Sequence, residues 1–141
     1  MIVQTYCGVF PLNMLKGLEN FNTGTPYTYK IALYTASANL SSTTSSYTSI
    51  DEITGTGYTA GGKVLAPTVP NLDPTNNTAF FSFANAVWTP AAFTARGALV
   101  YNSTTGAACF VLNFGSDKTA TSTFTVTFPT ADSTNAVIRI N

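Results

Sequence analysis

Residues 121–128 read TSTFTVTF. Phe124, Val126 and Phe128 alternate with threonines, a repeat of two that sends apolar groups to one side and hydroxyls to the other. A helix would scatter the same residues around its circumference. The stretch therefore predicts a strand with one face on a core and one face toward water, the habit of antiparallel sheets. Six further short segments read as strands: Lys30–Thr35, Lys63–Ala66, Thr78–Ala84, Thr94–Tyr101, Ala107–Phe114 and Ala136–Ile140. Turn-forming residues separate them. Asn71–Asn77 reads as a turn, Asn102–Gly106 as a hairpin loop, and residues 41–49 as a loop with Ser or Thr everywhere but Tyr47.

One segment carries the other period. Phe10, Met14, Leu15, Leu18 and Phe21 recur at helical spacing, Pro11 is tolerated in a first turn, and Asn22-Thr-Gly24 ends the run. This helix either covers one end of a sheet or docks on a neighbouring protein. Strands do not alternate with helices, so a parallel α/β sheet is not expected. The expectation is an all-β chain: an antiparallel β-sandwich or jelly-roll-like barrel of about seven strands with one short N-terminal helix. At 141 residues a single domain is expected, residues 1–24 forming a helical segment or arm and 25–141 the sandwich.

Composition excludes several functions. Charged residues make up 9% of the chain, against about 25% in an average protein, and six basic side chains balance six acidic ones. No basic face exists for nucleic acid or for anionic lipid. Solubility rests on Ser, Thr and Asn, and a nearly neutral surface does little to repel neighbours. The opening MIVQTYCGVFPLNML has no charged region before an apolar run, so it does not read as a signal peptide. No apolar stretch reaches the roughly 18 residues of a membrane helix. The glycosylation sequons at Asn39, Asn76 and Asn102 are expected by chance in a chain rich in Asn, Ser and Thr. Cys7 and Cys109 lie among apolar residues and read as buried free thiols, with one bridge as the alternative.

One stretch imitates a nucleotide site. From Gly57, residues 57–63 read GYTAGGK, the first seven positions of a phosphate-binding loop. Such a loop follows a buried strand, opens a helix, and places Ser or Thr after the lysine to hold magnesium. Here a Ser/Thr loop precedes it, Val64 follows Lys63, and Pro67 and Pro70 forbid a helix of useful length. The stretch reads instead as a wide turn, with Gly55, Gly57, Gly61 and Gly62 in special backbone conformations or close approaches and Tyr58 as an apolar pin.

No other chemistry assembles. The chain has no histidine, the commonest general base and metal ligand. A hydrolytic carboxylate pair would come from Glu19, Asp51, Glu52, Asp73, Asp117 and Asp132, all at loops or element ends. Asp51 and Glu52 with Asp73 or Asp117 could ligate calcium, but without ligand-loop spacing. Tyr27, Tyr29, Tyr34, Tyr47, Tyr58, Trp88 and Tyr101 could stack on sugars, or could serve a core or subunit interface. No residue is assigned to catalysis, a cofactor or a metal.

Lys30-Ile-Ala-Leu-Tyr-Thr-Ala36, a polar loop, and then Gly55-Thr-Gly-Tyr-Thr-Ala-Gly-Gly62 occur in that order. Trp88 follows, then Ala95-Arg96, Val100-Tyr-Asn-Ser-Thr-Thr-Gly106 and Asn113-Phe-Gly115. This series resembles small β-rich virion proteins of tailed bacteriophages, over nearly the whole chain. Cys7 and Cys109 are not part of that pattern, and the pattern contains no catalytic residue. The resemblance implies a structural subunit of the virion, not an enzyme and without a cofactor. The first expectation within it is a capsid decoration (cement) protein that binds the major capsid protein, as a trimer or dimer. A tail or head–tail junction component is the alternative. A carbohydrate-binding module for host glycans is a third reading, from a different class.

Overall fold

The computed structural model describes residues 1–24 and 26–141; residue 25, where the sandwich was expected to begin, lies outside the described residues. Along the chain run β1 (Thr5–Tyr6), α1 (Val9–Leu15), β2 (Tyr29–Tyr34), β3 (Lys63–Val64), β4 (Asn71–Asp73) and β5 (Thr78–Phe81). They are followed by β6 (Ala86–Trp88), β7 (Phe93–Asn102), β8 (Ala108–Ala120), β9 (Phe124–Val126) and β10 (Ile138–Ile140). All pairings between these strands are antiparallel. The architecture is mostly β and sandwich-like, and its sheets do not close into a barrel.

The central sheet has the order β1-β8-β7-β2-β3. Its middle is buried on both sides along β2, Gly97–Asn102 of β7 and Ala108–Val111 of β8, and these stretches are apolar at nearly every position. In β2, Ile31 and Leu33 join one apolar cluster while Ala32 and Tyr34 join another. In β7, Ala98 and Val100 face the first cluster, and Leu99 and Tyr101 the second. The first cluster is closed by two smaller sheets, β10-β5-β4 and β6-β9. These sheets and the residues just beyond them contribute Phe81, Phe83, Trp88, Phe124, Val126 and Phe128. The second is covered by the N-terminal segment and the loop after β2, through Ile2, Cys7, Ala38 and Leu40.

The β7–β8 connection forms the expected hairpin. Asn102 is fully buried, and its Oδ1 accepts from the amides of Thr104 (3.0 Å) and Thr105 (3.3 Å). The Gly106 amide closes the turn on the Asn102 carbonyl at 2.7 Å. Two irregularities mark β8. Between the Gly97–Asn113 and Ala95–Lys118 pairs, Arg96 alone opposes Phe114–Asp117, and its guanidinium meets Asp117 at 2.8 Å. This is the one ion pair among the described residues, and both side chains are solvent-exposed or nearly so. The second irregularity falls at Cys109, between the Val100–Phe110 and Tyr101–Ala108 pairs. It carries Cys109 into the first cluster while its cross-strand neighbour Cys7 lies in the second.

Several expectations need correction. The helix ends at Leu15 and the chain leaves it through Lys16 and Gly17. Phe10 is buried against Phe110 (4.6 Å between centroids) and Phe21 (5.9 Å). Leu15 and Leu18 project into solvent, and Phe21 reaches the core from an irregular segment. A glycine after two turns favours stopping over extending the apolar stripe. The Asn71–Asn77 run is half strand: β4 uses its first three residues, and the turn proper is Pro74–Asn77. Asp73 starts that turn by accepting from the amides of Thr75 (2.9 Å) and Asn76 (3.3 Å), the usual Asx-turn chemistry. Among the described residues ten strands stand where about seven were expected, because β1, β4 and β6 are too short to show a period.

Candidate functional site

The glycine-rich stretch builds no anion cradle; it seals strand edges. A Cβ on Gly57 (φ +84°) would overlap the Pro90 carbonyl, and one on Gly62 (φ +77°) the Ile31 carbonyl. Both positions therefore require glycine on two counts, sign of φ and closeness of foreign backbone. Lys63, which would reach a phosphate in a nucleotide loop, donates to the Val87 carbonyl. Its ammonium lies 5.8 Å from the Trp88 ring centroid. β3 covers β2 only at Lys30 and Ile31. Beyond it, the Tyr58 hydroxyl accepts the Leu33 amide at 2.9 Å, and the Ile53 amide donates to the Leu33 carbonyl at 3.0 Å. A side chain and a loop thus replace the missing strand. Tyr58 is a polar pin as well as an apolar one.

Glu52 gathers this region. Its Oε1 accepts from the Tyr58 hydroxyl (2.6 Å) and the Gly61 amide (2.7 Å), and its Oε2 from the Tyr47 hydroxyl (2.6 Å). Tyr47 stacks on Tyr101 at 4.8 Å, and the Tyr101 hydroxyl donates to the Gly61 carbonyl at 2.6 Å. Tyr34 donates to the Thr48 carbonyl at 2.6 Å. Burial, together with the neighbouring Glu52 carboxylate, pushes the phenols of Tyr34, Tyr47, Tyr58 and Tyr101 above the ordinary tyrosine value, so they remain donors. The carboxylate is an acceptor with its donors already in place. Nothing in this set points outward as a base or nucleophile.

The aromatic residues weighed as a sugar platform do not share a surface. Tyr29, Tyr34, Trp88 and Tyr101 are buried, and Tyr27, Tyr47 and Tyr58 half-buried. The carboxylates are dispersed too, each with its own partners. The Glu19 Oε2 accepts from the Tyr29 hydroxyl (2.8 Å) and the Asn102 amide group (3.1 Å). Burial pushes the Glu19 carboxyl up, and the Tyr29, Asn102 and Asn13 contacts oppose it. Asp73 takes hydrogen bonds from Ser133 (2.5 Å) and Asn76 (2.7 Å), which hold its carboxyl down at about 2. Asp117 pairs with Arg96, and Asp132 accepts from Thr134 (2.8 Å) and Asn135 (2.6 Å). Asp51 sits at a turn with φ +61° and lends its carbonyl to the Thr35 amide. Among the described residues no three His, Cys, Asp or Glu side chains converge as metal ligands. Both cysteines are free and buried. Desolvation pushes the Cys7 thiol up to about 11 and the Cys109 thiol higher still, so neither is a ready nucleophile.

What the surface does offer is a groove of about 810 Å³ between β8 and β9. The chain turns at residues 121–123, and β9 then departs from β8 to pair with β6. Leu112, Phe114 and Val137 form its half-buried floor. Sequence reasoning identified the strands on either side but not the gap, because pairing partners are not written into a period-two pattern. Elsewhere Leu72 and Ile140, both opposite Ala79, stand exposed across the β10-β5-β4 sheet. No helix among the described residues is long and apolar enough to cross a membrane. No family model, curated protein or solved structure matches this chain.

Proposed function

We propose that the chain is a structural virion protein of a tailed bacteriophage, a capsid decoration protein that binds the major capsid protein and stabilises the shell. The observation that carries this reading is the structural use of the groups that looked most capable of chemistry. Glu52, its tyrosines, the glycine-rich turn and both thiols are spent on holding the fold. The outside that remains is neutral overall, rich in hydroxyls, and interrupted by an apolar groove. That surface suits close packing in a lattice. The motif order from Lys30 to Gly115 adds the resemblance to phage virion proteins. A jelly-roll-like path is the finer reading of the fold, and a trimer or dimer on symmetric lattice sites the finer reading of assembly.

A cement protein acts by mass action: it binds the assembled lattice better than free subunits, so the lattice is favoured. A tail or head–tail junction role is the second reading, since the same features suit a ring or tube. Glycan binding is less supported, because four of the seven aromatic residues it needs are buried. The test is the copy number of this chain in purified particles, by quantitative mass spectrometry against the major capsid protein. A ratio near one, or near one third, is expected. A handful of copies would move the chain to a junction or tail, and its absence from particles would end the virion reading.

A further inference from the structure

The groove beside β9 has strand edges for walls. β9 pairs with β6 on one side, and among the described residues no strand pairs with the other. Two hydrogen bonds fix which backbone groups face which way. The Phe128 amide donates to Asn85 Oδ1 at 2.9 Å, and the Ser122 carbonyl accepts from the Ala91 amide at 2.8 Å, both on the β6 side. Backbone polar groups along an antiparallel strand alternate in direction. Residues 122, 124, 126 and 128 therefore address β6, and Thr123, Thr125 and Thr127 address the groove, which they line. Opposite them, β1 covers β8 only at Phe110 and Val111, which leaves the outer edge of Lys118–Ala120 without a strand. An edge of this kind is a template for another strand. Lys118 is the one charged residue lining the groove, and no carboxylate lines it.

We propose that the groove receives an extended segment of a different protein, added as a strand along the β9 edge. Its alternate apolar side chains would cover Leu112, Phe114 and Val137, and an acidic residue would lie opposite Lys118. The backbone supplies affinity and the alternate side chains supply specificity, as in other strand additions. The edge from Thr123 to Thr127 spans roughly 17 Å, room for about five residues of the incoming segment. A second copy of this chain is a poorer match. The free edges of β3 and β10 would bring Lys63 and Arg139 toward Lys118, those of β1, β6 and β9 carry no carboxylate to meet it, and Asp73 of β4 is already held by Ser133 and Asn76. The groove would work this way whether or not the chain sits on a virion.

Three synthetic eight-residue peptides test the proposal. The first alternates valine and threonine with one central threonine replaced by aspartate. The second carries lysine in place of the aspartate, and the third is the first peptide N-methylated at alternate residues. NMR titration of the full chain with the first peptide should shift amides in Thr123–Thr127 and Lys118–Ala120, and slow hydrogen exchange at Thr125 and Thr127. The lysine peptide should bind about two- to five-fold more weakly, the scale of an exposed ion pair. The N-methylated peptide should lose on the order of 100-fold, for about three backbone hydrogen bonds. Thr125→Pro should abolish binding with an unchanged melting temperature, because the amide it removes faces the groove. No shifts at millimolar peptide, or equal binding of the N-methylated peptide, would overturn the proposal. Protection of Thr125 and Thr127 that rises with protein concentration alone would also overturn it, in favour of a second copy. Should Thr125→Pro fail to fold, the N-methylated peptide on the unaltered chain decides.

Discussion

The two faces of the central sheet are closed by different means. On the first, rings lock against rings: Phe21 stacks on Phe81 at 4.0 Å, and Phe83 meets Phe110 at 6.1 Å and Phe128 at 5.4 Å. Phe81 comes from a small sheet, Phe83 and Phe128 flank the small sheets, Phe110 belongs to β8, and Phe21 comes from the segment after the helix. On the second face the cover is the N-terminal segment and the loop after β2, tied down by Tyr47 and the Glu52 carboxylate, which also takes a hydrogen bond from Tyr58 of the first face. Apolar burial is non-directional and tolerates small displacements, whereas a carboxylate with three donors demands position. A strand-poor cover can therefore be as well ordered as a sheet, provided that a charged group fixes it.

This contrast can be broken from either side. The largest effect is expected on the ring side. Phe83→Ala should cost about 3–5 kcal/mol and lower the whole unfolding transition, as read by denaturant melts. Leu40→Ala, the matching truncation under the loop, should instead raise hydrogen exchange locally near residues 38–53. Gly62→Ala should cost about 1–2 kcal/mol from the sign of φ alone, and more from the overlap with the Ile31 carbonyl; the melting midpoint checks it. Glu52→Gln should cost about 1–3 kcal/mol, because the new amide group must face a hydroxyl or amide donor. Glu52→Gln unfolding like wild type would show that the tyrosines hold the loop without the carboxylate. The smallest effect needs no substitution. Cys7 lies under the loop and Cys109 under the rings, so a thiol reagent under native conditions should label Cys7 first. Simultaneous labelling would mean that both faces open in one step.

The same contrast governs what was legible in the sequence. Phe124, Val126 and Phe128 declared the ring side by alternation, and their placement follows it. Lys30–Thr35 declared a strand although it is buried on both faces, because β-branched and aromatic residues still mark it. The loop side was opaque. Glu52 was weighed as a catalytic or calcium-binding carboxylate, since nothing local reveals that Tyr47 and Tyr58 fold back on it. The glycine-rich stretch was recognised as a turn, yet its targets, Ile31 and Pro90, lie tens of residues away. The apolar spacing overstates the helix because Leu18 and Phe21 continue it after the backbone has left the helix at Leu15. The groove was invisible for a related reason: a gap is a property of two strands that do not pair.

Among the described residues the one ion pair, Arg96 with Asp117, is exposed, and this carries a consequence for the solution behaviour of the molecule. With six positive and six negative side chains, the surface holds few counterions to release on contact. Raising ionic strength screens charges across a Debye length, yet little here depends on charge. Salt that strips electrostatically steered complexes is expected to cost the proposed strand addition no more than its Lys118 pairing, and excluded salts such as sulfate to tighten it.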